Sequence, residues 1–144
     1  MLLDGEVRAA DVAVWRRSDV GSYRGRFRRV PPLLAIEVAG TDEDEETLLQ
    51  KASWYLSHGV KSVWLILPAT REVLLVTRRR TRRLRGESQL EAPGLSGLHP
   101  TADALFRQLG VGSGAPHASS SRTTRTASFG FACSAFARAC FSSA

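Results

Sequence analysis

The chain has 144 residues, 43% of them hydrophobic, which is enough for one modest core and requires no second domain. Eighteen Arg and two Lys against fourteen acids leave a net charge of +6, so polyanions are the favoured partners. Because MLLDGEVR has no basic region leading into a long apolar stretch, and no apolar run approaches the ~18 to 20 residues that span a bilayer, neither a signal peptide nor a membrane anchor is expected, and a soluble, cytoplasmic protein is.

Residues from about Val7 to Trp15 alternate as a strand, with Val12 and Val14 on one face and Asp11, Ala13 and Trp15 on the other. The stretch SDVGSYRGRFRRVPP then reads as an exposed loop or ragged hairpin, and LLAIEVAG, residues 33–40, as a short apolar strand interrupted by one carboxylate, Glu37. Thr41 and Asp44 make a capping-box-like start, and the acids DEDEE suit the positive end of a helix running from about 42 to 58. Its apolar face takes Leu48, Leu49, Ala52, Tyr55 and Leu56, with Lys51 at the edge and His58-Gly59 as the stop. KSVWLIL, residues 61–67, is apolar enough for a central strand, and a turn over Pro68 to Arg71 leads into EVLLVT, predicting a hairpin. RRRTRRLRG is a basic run, PGLSGL a loop, and Thr101 caps a short helix, ADALFRQLG, ended by Gly110.

From Gly112 onward the chain lacks hydrophobic periodicity and holds no acid, only Arg122, Arg125 and Arg138. A folded domain over 1–111 and a disordered tail over 112–144 are therefore expected. Within 1–111 seventeen basic residues face fourteen acids, so the body is only mildly basic. Cys133 and Cys140 lack the companions of a zinc site and read as free thiols. GVGSGA follows a helix rather than a strand, which removes it as a dinucleotide motif, and the three His are scattered.

Three residues are the candidates for chemistry. A carboxylate within a buried strand is costly unless paired, protonated or bound to a cation, which singles out Glu37, although pairing with an Arg of the 24–29 loop would also satisfy it. Asp11 is a second strand carboxylate, or else a solvated one; two acids brought together repel unless a divalent ion such as Mg2+ neutralises them. Lys51 has Thr47 rather than an acid four residues back, so it either snorkels at the surface or reaches the carboxylates.

The order AADVAVW, PPLLAIEVAG, QKASWYLSHGV, KSVWLILPATREVLLV and PGLSGLHPTADALF resembles a family of putative restriction endonucleases in the PD-(D/E)XK superfamily, over about residues 5–109. The resemblance implies an α/β fold with a restriction-endonuclease-like mixed central sheet flanked by helices. It implies catalytic roles for Asp11, Glu37 and Lys51, with Asp11 and Glu37 as ligands of Mg2+ and Lys51 positioning water or stabilising charge. Ala39 stands where the wider superfamily usually has its lysine, in keeping with a lysine relocated to the helix. Ala10 replaces the proline before the Asp, Gly40-Thr41 replaces Ser-Pro, and the family's segment before the first motif, a helix and a strand, is expected to be missing.

The function expected is Mg-dependent endonucleolytic hydrolysis of DNA; the alternative is a non-catalytic fragment or DNA-binding remnant of such a nuclease, with a tail arising from a shifted reading frame. DNA is the expected partner, and a homodimer is left open. Among the six arginines from Arg78 to Arg85, Arg78, Arg79, Arg80, Arg82 and Arg83 are the candidate phosphate contacts, unless the run is a solvated hairpin end.

Overall fold

The structure, a computed structural model, describes residues 1–20, 25, 27–108 and 110. The tail expected to be disordered, with its two cysteines, lies outside the described residues. In chain order the elements are β1 (Leu2–Leu3), β2 (Glu6–Val7), β3 (Val12–Val14), α1 (Arg17–Val20), β4 (Leu34–Val38), α2 (Glu45–Ser57), β5 (Ser62–Leu67), β6 (Glu72–Val76), β7 (Thr81–Leu84) and α3 (Ala102–Gln108).

Five strands form one mixed sheet in the order β3-β4-β5-β6-β7. Only β4 and β5 run parallel, and α2 makes the crossover that a parallel pair requires. The three inner strands, β4, β5 and β6, are largely apolar because both sheet faces are covered. On one face Ala35, Val63, Leu65, Leu74 and Val76 pack with Leu48, Ala52, Tyr55 and Leu56 of α2. On the other, Leu34, Ile36, Trp64, Ile66, Val73 and Leu75 pack with Leu90 and with Leu105 and Phe106 of α3. The α/β class and the mixed sheet flanked by helices are as expected. No helix among the described residues is long and apolar enough to cross a membrane.

Four local expectations change. The first sheet strand covers only Val12–Val14, because Val7 pairs instead with Leu2 in a small hairpin whose turn, Asp4-Gly5, has positive φ at both residues, 48° and 86°. Asp-Gly is the sequence signature of such a two-residue turn. At the start of the loop expected over 18–32, Arg17–Val20 form one helical turn. α2 starts at Glu45, not near 42, because Asp44 is the residue that caps it: its backbone is extended and its Oδ1 accepts from the Thr47 N–H at 2.8 Å. The basic run contains a strand, β7, at the sheet edge; only its Leu84 is buried, which left no apolar pattern to read.

The stop of α2 is as expected. Gly59 takes φ +94°, and a Cβ there would lie 3.1 Å from Pro31 Cγ, so both backbone and space call for glycine.

Candidate active site

The antiparallel register of β3 on β4 pairs Val12 with Ile36, Ala13 with Ala35 and Val14 with Leu34. One step further along this register, Asp11 falls opposite Glu37. Directly opposed residues in such a ladder project to the same side, and here Ala13 and Ala35 mark that side as the α2 face. The strand itself has ended at this point, and the Asp11 carboxylate takes over its role as acceptor: the Val38 N–H donates to Asp11 Oδ2 at 2.8 Å. Asp11 is thus exposed yet anchored to the backbone beside Glu37.

Glu37 is buried, 5% exposed, and α2 reaches it with two side chains one helical turn apart. The Tyr55 hydroxyl donates to Glu37 Oε1 at 2.7 Å, and Lys51 Nζ lies 3.7 Å from Glu37 Oε2. One oxygen is committed to the phenol and the other faces the ammonium. Burial pushes the Glu37 carboxyl above the ordinary value of 4.5; the Tyr55 hydrogen bond opposes the rise, the Asp11 charge adds to it, Lys51 opposes it and Glu43 adds again. Burial and the bond to Glu37 likewise push the Tyr55 hydroxyl far up, so it stays protonated and donates to Glu37.

Lys51 also pairs with Glu43, which lies in the turn just ahead of the Asp44 cap. The Glu43 carboxylate, first, and then Glu37 and Asp11 hold the Lys51 ammonium above its ordinary value against partial desolvation, so it is charged at neutral pH.

All three residues singled out in the sequence therefore meet at the α2 side of the β3-β4 edge. Tyr55, read from the sequence as a core residue, and Glu43, read as helix-dipole charge, join them. The signal for Tyr55 was its spacing of four from Lys51 on the buried face. For Glu43 it was visible only once the cap is put at Asp44, which leaves Glu43 outside the helix.

The donor set suits a hard divalent cation. Asp11 and Glu37 offer carboxylate oxygens side by side, and Mg2+ typically takes one or two carboxylates, with waters and substrate oxygens completing its shell. Among the described residues no group of three or more His, Cys, Asp or Glu side chains is arranged to hold a metal, so the set stops at two carboxylates.

The arginine run does not converge on this point. Arg78 donates to the Leu56 carbonyl at the end of α2 at 3.1 and 2.8 Å. Arg83 pairs with Glu45 and with Glu72, Arg85 pairs with Glu72, and Arg82 lies 3.6 Å from Glu91. Arg79 and Arg80 are exposed at the β6-β7 turn and form no ion pair with a described residue.

The sequence model of a family described as "Putative restriction endonuclease", Uma2, matches residues 2–105. A solved structure from Anabaena variabilis, described as a putative nuclease belonging to DUF820, is similar to this chain at 20% identity and a TM-score of 0.62. The similarity covers 69% of this chain and 60% of that one, so the described domain spans less than two thirds of the neighbour, and at this identity it shows the fold. No curated protein matches the chain.

Proposed function

From the premise that the chain belongs to the Uma2 family of putative restriction endonucleases, we propose that it is a Mg2+-dependent endonuclease that hydrolyses phosphodiester bonds of DNA. The observation that carries this reading is the meeting of Asp11, Glu37 and Lys51, drawn from three separate segments of the chain, around one buried carboxylate. A structural ion pair needs one acid and one base. Here two carboxylates, one just ahead of β3 and one on β4, are set beside a single lysine on α2.

Asp11 and Glu37 would hold the cation, which when bound supplies charge neutralisation and Lewis acidity toward a phosphodiester. Tyr55 keeps Glu37 oriented by occupying one of its oxygens. The Lys51 ammonium, fixed 3.7 Å from the other, is placed to orient the attacking water or to meet the negative charge that develops on the phosphate. DNA is the partner in this reading and the cytoplasm its location; whether the chain forms a homodimer is left open and is measured by sedimentation.

Two variants test it. Glu37→Gln should fold, should lose the rise in melting temperature on adding Mg2+, and should lose cleavage of plasmid DNA, because the cation has lost a ligand. Lys51→Ala should keep the Mg2+-induced rise and cut more slowly by about 10²- to 10³-fold, the typical loss on removing one transition-state donor. Cleavage that survives both substitutions would falsify the assignment.

A further inference from the structure

Glu43 is not used by the reaction as read above, yet its carboxylate contacts Lys51 more closely than Glu37 does. It stands in a short turn where its own N–H reaches the Gly40 carbonyl at 3.4 Å. That turn borders an open hollow of about 420 Å3 lined by residues 40–44 and Thr47. Its side chain, 22% exposed, thus has open space beside it into which it can move off the ammonium.

We propose that Glu43 is a positioning residue that occupies Lys51 in place of a substrate phosphate, and that DNA binding exchanges this carboxylate for the phosphate at the site. The inference rests on the reading of the site as a DNA nuclease. Its physical basis is charge competition. An ammonium has three donors but one charge, and a phosphate approaching Lys51 meets three carboxylates, Asp11, Glu37 and Glu43. Of these Asp11 is tied to the Val38 N–H and Glu37 to Tyr55, while Glu43 is the one on a turn outside the helix. Holding Lys51 with an exchangeable carboxylate keeps the ammonium extended toward the strands before substrate arrives.

The test is duplex binding in EDTA by the full chain, by Glu43→Gln, by Lys51→Ala, by the double variant and by Asp42→Asn. Asp42 sits in the same turn, is exposed, and controls for charge alone. Glu43→Gln should bind DNA roughly two- to fivefold more tightly, the range for releasing one partly exposed ion pair. That gain should shrink to the Asp42→Asn level when Lys51 is already Ala. With Mg2+ present, Glu43→Gln should lower KM and also lower kcat, since Lys51 is freed but less well placed; a structural role would move neither in that pattern. Equal tightening by Asp42→Asn, or full tightening without Lys51, would assign the effect to bulk charge and overturn the proposal, as would unchanged binding by Glu43→Gln. If the unsubstituted chain binds no DNA, the nuclease reading itself falls. A chain that binds and cuts DNA with no Glu43 effect leaves that reading intact and removes only this one.

Discussion

Two buried carboxylates lie in this sheet, and their environments push them in opposite directions. Glu37, with burial dominant and Asp11 nearby, sits above 4.5. Glu72 is 2% exposed, and burial alone would raise it too; hydrogen bonds from Arg83 and Thr70 and the charges of Arg83 and Arg85 more than offset that and hold it below 4.5. The linkage signs follow. For Glu37 the native state binds the extra proton between 4.5 and its raised value, so its contribution falls as pH rises through that window and then stays low. For Glu72 the unfolded state binds the extra proton, so its contribution is full above 4.5 and disappears as pH falls through its lowered value. Urea melts in EDTA from acid to neutral pH should show Glu37→Gln gaining stability relative to the unsubstituted chain as pH rises, and Glu72→Gln losing it. A Glu37→Gln variant that instead weakens steadily toward neutrality would mean that Lys51 and Tyr55 more than balance the burial of its charge.

At the scale of elements, the β6-β7 hairpin divides the arginine run by what each guanidinium already holds. Arg78 caps the end of α2 and Arg83 joins Glu45 to Glu72, tying the helix start to the edge strand. Replacing Arg83 by Gln should therefore lower the melting temperature, while replacing Arg79 and Arg80 by Gln should leave it unchanged. The second pair should instead flatten the salt dependence of DNA binding by about 0.9 in the logarithmic slope for each phosphate that is no longer neutralised. A salt slope untouched by Arg79→Gln/Arg80→Gln would return those two to plain surface. The same side chains also mark what could be read in advance. The acid at Glu37 stood out because its neighbours are apolar, and Lys51 because it lacked an i−4 acid, so the centre of the candidate site was legible. Glu43 and Glu72 were not, since their partners lie 8 and 11 or more residues away, across turns whose geometry a linear pattern does not carry. The caps followed local rules but competed: Thr41 and Asp44 both fit, and the Thr47 N–H selects Asp44. β7 was hidden because an edge strand needs backbone pairing more than apolar side chains.

Among the described residues the five-stranded sheet lies between two unequal covers, and the candidate site lies under one of them. The α2 face holds Lys51 and Tyr55 against Glu37, whereas the face under α3 and Leu90 holds no residue of the site. Leu48 and Leu90 are both fully buried leucines, one on each side. Truncating either to Ala should cost about 2 to 5 kcal/mol, the transfer of the removed methyls plus the cavity left behind. Against a total of roughly 5 to 15 kcal/mol for a domain, both variants are best assayed well below their melting temperatures. Under those conditions they should part company. Leu48 is three residues before Lys51 on the same helix, and relaxation of α2 into the cavity shifts the ammonium and the Tyr55 hydroxyl relative to Glu37, so Leu48→Ala should lose cleavage and weaken its response to Mg2+. Leu90→Ala, equally destabilised, should retain both per folded molecule, because the sheet stands between its cavity and the site. Equal losses from the two, after correction for the folded fraction measured on the same samples, would show that the sheet transmits the disturbance and that the two faces do not act independently.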